Sequence, residues 1–137
     1  MSTVQRSFRI KEPILREIER IRKDKAANAL ANELLEEALK MRRCPGIIFS
    51  LGISGRRARI AGTGVEVWEV VCEYQIVGKD VEALKKALPH LTERQLIAAL
   101  NYYRAYPEEI NELIQGNEAI TPKTVEGRFS MSKGKRR

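Results

Sequence analysis

No stretch of this chain stays apolar for the ~20 residues that a membrane-spanning helix requires. The opening Met1-Ser2-Thr3-Val4-Gln5 lacks the apolar core of a signal peptide, so the sequence is expected to stay in the cytoplasm. There are two cysteines, Cys44 and Cys72, in no CxxC or metal-ligand spacing, and they read as small buried apolar residues in a reducing compartment. A single histidine, His90, follows Pro89 in a turn, with no cysteine, histidine or aspartate set around it for zinc or nucleophilic catalysis. Gly62-Thr63-Gly64 is not followed by Lys-Ser/Thr, so no phosphate-cradling loop is present. Together these gaps leave no catalytic constellation, cofactor motif or metal set, and the reading is of a non-enzyme.

What the chain does have is an uneven distribution of charge. The net charge over 137 residues is +7. Residues 1–43 hold 11 Lys/Arg against 7 Asp/Glu, residues 44–116 hold 8 against 9, and residues 117–137 hold 6 against 2. A bound polyanion would therefore be expected at the two ends rather than in the neutral middle.

Val4, Phe8 and Ile10, with Arg6 on the same face, alternate with Gln5, Ser7, Arg9 and Lys11, the period of a half-buried strand. Pro13 closes the stretch, and no second strand follows within hairpin reach. An unpaired strand is a liability, and a partner strand from a second copy resolves it. Ile14, Ile18 and Ile21 then mark a short amphipathic helix, with Glu12/Arg16 and Glu19/Lys23 as i,i+4 pairs. Asn28 is the candidate N-cap of a second helix, whose apolar face is Leu30, Leu34, Leu35, Ala38 and Met41. Some 43 residues of strand, helix and helix cannot bury a sufficient core alone, which again asks for a dimer.

The run from Arg6 to Pro13, followed by Ala31-Asn32-Glu33-Leu34-Leu35-Glu36-Glu37-Ala38-Leu39, resembles the ribbon-helix-helix (MetJ/Arc-like) DNA-binding family. The resemblance implies an antiparallel two-stranded ribbon in the major groove, with alternate strand residues contacting bases. Those positions are Ser7, Arg9 and Lys11, with Gln5 beside them, and Asn28 would serve the phosphate clamp at the second helix. The turn Lys25-Ala26-Ala27-Asn28 lacks the glycine and the Ser/Thr cap common in that family. The alternative is that the strand is only a dimerisation edge with a solvated outer face.

In the middle segment, Ile47 to Gly52 and Arg57 to Ala61 read as a hairpin turning through Gly52–Gly55. Three helices are expected next: Val67 to Val77, Val81 to Leu88 capped by Asp80, and one opened by the capping box Thr92-Glu93-Arg94-Gln95. Pro107 begins a short acidic extension to about Gln115, ended by Gly116. Trp68 and Tyr102, Tyr103 and Tyr106 sit at helical spacing and read as core. Glu108, Glu109 and Glu112 read as a solvated acidic turn.

The stretch Gly55 to Val71, together with Leu88-Pro89-His90-Leu91-Thr92, Ala98 to Tyr103 and Tyr106 to Ile110, resembles domain-of-unknown-function family 433, found among VapB-type antitoxin-like proteins. That resemblance implies a three-helix, helix-turn-helix-like bundle with a hairpin. Charge argues against its helix from Glu93 as a DNA reader, because the segment is net negative. Arg56, Arg57 and Arg59 on the hairpin remain as secondary DNA contacts. Packing or self-association is the expected use of the middle domain.

From Asn117 onward the chain is basic and poor in apolar groups, and is expected to be disordered when free. The VapB resemblance implies that such a tail lies over a PIN-domain ribonuclease. Arg128 would enter the nuclease carboxylates, with Val125, Phe129 and Met131 as apolar anchors. A nonspecific basic tether is the other reading of this tail.

The expectation is thus a mainly α protein with a short N-terminal β-strand and a β-hairpin. It divides into a ribbon-helix-helix dimerisation unit (1–43), a helix-turn-helix-like domain (44–116) and a basic tail (117–137). The function expected is that of a homodimeric antitoxin and transcriptional autoregulator, binding operator DNA and a PIN-type ribonuclease. A stand-alone repressor without a toxin is the alternative.

Overall fold

A computed structural model describes residues 2–52 and 55–119. Among them are six helices and a two-stranded antiparallel sheet, and the chain divides into two compact units between Lys40 and Met41. No helix of the described residues is long and apolar enough to cross a membrane.

The first unit is built on α1 (Glu12–Ile21) and most of α2 (Ala27–Arg43). Pro13 stands in the first turn of α1, where its missing N–H costs nothing. Arg22 caps the far end, its N–H bonding Ile18 O, and Lys23 takes a left-handed φ of 50°. Lys23 is therefore off the helix, and the expected Glu19/Lys23 pair is not made. Glu19 instead accepts from Arg22 Nε at 2.8 Å, while Glu12 does pair with Arg16. Lys25 reaches forward to both carboxylate oxygens of Glu33 at 2.7 Å, tying the turn to α2. Asn28 does not cap α2. The helix starts one residue earlier, Leu30 N bonds Ala26 O, and Asn28 lies exposed inside the first turn, where its carbonyl accepts from Asn32.

Residues 2–11 form neither helix nor strand in the single chain, and all of them are exposed. The alternation of Val4, Phe8 and Ile10 is that of a strand, but a strand is stabilised by its ladder, and one copy offers these groups no partner. The expected face of α2 is also split. Leu30 is buried and Leu34 half-buried, whereas Leu35, Ala38 and Met41 are exposed. Ile18 and Leu30 are the only buried apolar side chains among the described residues before Met41.

The second unit has a continuous core. β1 (Ile47–Gly52) and β2 (Gly55–Ile60) pair in a register that sets Ile47 opposite Ile60 and Phe49 opposite Ala58. Those four face inward, while Ile48, Arg57 and Arg59 share the other face by the period of two. After β2, Gly62 adopts φ +79°, Thr63 Oγ1 bonds both Ile60 O and Val65 N, and the chain turns into α3 (Val67–Ile76). Val67, Val70 and Val71 of α3 are fully buried. Asp80 caps α4 (Val81–Ala87) by accepting from Glu82 N at 3.0 Å. The capping box forms as the sequence predicts: Gln95 N to Thr92 Oγ1 at 3.1 Å, and Thr92 N to Gln95 Oε1 at 2.8 Å, opening α5 (Glu93–Ala105).

A fourth helix completes this unit. The expected short extension is α6 (Pro107–Ala119), which runs through Gly116 rather than stopping there. Glycine weakens a helix by about 1 kcal/mol without forbidding it. Ile110 and Ile114 are buried against the core, and Asn117 Nδ2 bonds Leu113 O at 2.9 Å. Asn117 is thus part of this helix, not the start of a tail.

Candidate nucleic-acid interface

Gln5, Ser7, Arg9 and Lys11 are all exposed. Among the described residues no ion pair engages Arg9 or Lys11, whereas Arg16 and Arg20 on the following helix and Arg22 at its C-cap are each held by a glutamate one turn away. The Arg20–Glu17 pair draws the Glu17 carboxyl below its ordinary range through a hydrogen bond. The charge of α1 is therefore compensated locally, and the cations of the N-terminal segment are not. Arg6 donates to the Gln5 carbonyl at 3.4 Å.

The three hairpin arginines do not form one cluster. Arg56, exposed and in register with Leu51, stands on the row of Ala58 and Ile60, while Arg57 and Arg59 stand on the outer row. Arg57 Nη1 lies 3.5 Å from Glu66 Oε1, an oxygen that also accepts from Trp68 Nε1 at 2.6 Å. Glu66 therefore offsets Arg57 while positioning the buried Trp68 ring. Arg59 is half-buried, and its Nε has no hydrogen-bond partner among the described residues.

The aromatic group is core, as its spacing predicts. Tyr102 is fully buried, meets Phe49 edge-on at 6.2 Å and lies 4.9 Å from Tyr106. Arg43 sits 5.7 Å over the Tyr106 ring. Glu109 departs from the expected solvated acidic turn: it is half-buried and accepts the Tyr102 hydroxyl, while Glu108 and Glu112 are exposed. Cys44 is buried and its thiol pushed up by desolvation, and Cys72 is half-buried. His90 is exposed. Among the described residues no group of three potential metal ligands comes together. The candidate toxin contacts Val125, Arg128, Phe129 and Met131 lie outside the described residues.

The helix from Glu93, which net charge counts against as a DNA reader, presents one surface whose ion-pair partners the sequence does not show. The outward side of α5 carries Arg94, Ile97, Asn101 and Arg104, all exposed, with Arg104 Nη1 donating to Asn101 Oδ1 at 3.2 Å. Glu93, next to Arg94 in the chain, accepts from Lys85 Nζ at 3.0 Å. That bond, with the charge of Glu82, holds the Lys85 ammonium above its usual range. An open cavity of about 500 Å3 lies beside this helix, lined by Gly46 and Ile60 on one side and Arg94, Ile97, Ala98 and Asn101 on the other. Spacing alone gave a hint, since residues 94, 97, 101 and 104 fall on one helical side. The Lys85 contact, eight residues distant, did not.

Residues 47–103 match the family described as protein of unknown function DUF433. The chain is also 30% identical to a DUF433 member protein of Anabaena variabilis known from a crystal structure, across 78% of this chain and 99% of that one. The chain belongs to the DUF433 family. The DUF433 match begins at β1 and ends within α5, so it spans the hairpin, α3, α4 and most of α5. The TM-score to the Anabaena DUF433 structure is 0.44, and membership rests on the identity and coverage. No curated protein matches the chain.

Proposed function

We propose that this DUF433 protein is a dimeric DNA-binding antitoxin and transcriptional autoregulator, in which a β-ribbon made from residues 4–11 of two copies reads operator DNA. The observation that carries the DNA-binding half is the exposure of a mainly apolar row, Val4, Phe8 and Ile10 with Arg6, beside one polar row. Val4, Phe8 and Ile10 are 81, 83 and 53% exposed in the single chain, and Leu35 and Leu39 of α2 are 62 and 66% exposed. That much apolar surface on a unit with two buried apolar side chains is a surface for self-association. Pairing the segment with its copy would satisfy the backbone groups and cover Val4, Phe8 and Ile10. It would leave Gln5, Ser7, Arg9 and Lys11 in a row on the outside, the arrangement that ribbon readers present to the major groove.

The antitoxin half draws on the resemblance to VapB-type proteins and on the composition of residues 120–137, which hold six cations against one carboxylate. Arg128 placed among nuclease carboxylates would displace their metal by charge pairing.

Selection of duplexes from a random double-stranded pool tests the ribbon. The full chain should enrich one motif, and Arg9→Ala should lose about 1–3 kcal/mol of discrimination at a defined position of it. Equal selectivity of Arg9→Ala and parent would remove the ribbon as reader. A selective chain that retains no nuclease on co-expression with its neighbouring genes would be the stand-alone repressor.

A further inference from the structure

We propose that the outward side of α5 is a second contact surface for duplex DNA, used in addition to the ribbon. The inference deepens the DNA-binding reading above, and it rests on the side chains and charges of the second unit. Arg94, Asn101 and Arg104 project from one side of the helix, and all three are exposed. Arg and Asn are the side chains that make bidentate contacts to guanine and adenine edges. Ile97, 40% exposed between them, is an apolar group of the kind that packs on a thymine methyl.

Net charge counts against this surface, but the acids nearest to it in the chain have partners elsewhere. Of the three acids between Lys79 and Arg104, Asp80 is used as the α4 cap, and Glu82 and Glu93 both turn to Lys85. The cavity beside α5 has Arg94, Gln95 and Asn101 as its polar lining and no carboxylate. A lining with one guanidinium, two amides and no acid, extended along the helix by exposed Arg104, complements a polyanion. An apolar protein partner would leave both guanidiniums desolvated and unpaired, which costs several kcal/mol. The capping box at Thr92 and Gln95 fixes the first turn of α5, so Arg94 leaves a helix end that does not fray.

The test uses the full chain with Arg94→Ala/Asn101→Ala, Arg94→Lys and Arg9→Ala, each put through selection on the same random duplex pool. The double variant should bind the parental motif about tenfold more weakly and lose preference at positions distinct from those that Arg9→Ala affects. Its log-affinity against log-salt slope should fall by about 1. Arg94→Lys should keep the slope and lose base preference, because an ammonium neutralises phosphate without the bidentate fork. An unchanged thermal transition separates a lost contact from a lost fold. If the double variant enriches the parental motif with the same affinity and slope while Arg9→Ala does not, this inference fails and the ribbon reading stands. If Arg9→Ala is without effect and the double variant loses the motif, the ribbon reading fails and α5 is the reader. A double variant altered only in sedimentation would assign the surface to a second copy and overturn the proposal. A parent that enriches no motif overturns both.

Discussion

The Tyr102 hydroxyl donates to both carboxylate oxygens of Glu109, at 2.8 and 3.0 Å, and so ties α5 to α6 across a junction of two helices. Burial pushes the phenol well above its ordinary range, with the neighbouring carboxylate adding to the effect. Tyr102→Phe should leave a half-buried carboxylate short of a donor and cost about 1–3 kcal/mol in urea unfolding. The pH dependence has a definite sign. A phenol whose pKa is raised in the folded state contributes stability that is complete below about pH 10 and is lost as pH rises beyond it. The parent should therefore weaken on the alkaline side, and Tyr102→Phe should weaken less steeply there. Parallel alkaline slopes would show that this bond does not couple stability to pH.

That bond also marks where sequence reasoning stops. Tyr102 is readable as core from its spacing to Tyr103 and Tyr106, and the hairpin, the Asp80 cap and the Thr92/Gln95 box follow from local chemistry. Glu109 looks like one of three solvated acids because its donor belongs to another helix. The same limit hides the Lys85–Glu93 pair. Asn28 fails for a local reason, because α2 is already helical one residue before it, and an exposed N2 asparagine has no cap to make. Residues 4–11 fail differently: their alternation, broken by Arg6 alone, is that of a strand, but a ladder is a property of two segments.

Gly46 carries φ +92°, and a Cβ placed there would meet Ala98 Cβ at 3.2 Å. Gly46→Ala should therefore destabilise twice, through a left-handed backbone that alanine resists and through contact with α5. A loss of about 1–3 kcal/mol is expected, read as a lowered thermal midpoint. Gly62→Ala is the control, since φ there is +79° with open space around the position. It should show the backbone cost alone, and equal losses at the two sites would mean that Ala98 yields.

Phe8 and Ile10 are the residues on which self-association is expected to turn. Phe8→Glu should shift sedimentation from dimer to monomer, because burying an unpaired carboxylate in the pair is strongly unfavourable. The helix content of the second unit should persist in that monomer, since its core contains no residue before Cys44. Loss of all helical signal would instead make the dimer a condition for the whole fold.

Truncation separates the tail from the helix that precedes it. Asn117 is buried and bonded to Leu113 O, so a cut after residue 116 would damage α6 as well as remove the tail. A chain ending at Ala119 keeps that bond and loses Arg128 with its flanking Val125, Phe129 and Met131. It should bind the motif selected by the full chain with unchanged base preference, and with a smaller salt slope if the lost cations neutralised phosphates. It should also fail to retain a PIN-type nuclease on co-expression, while Arg128→Glu in the full chain should reproduce that failure with a smaller change in slope than the truncation gives. A truncated chain that still retains the nuclease would move toxin recognition off the tail.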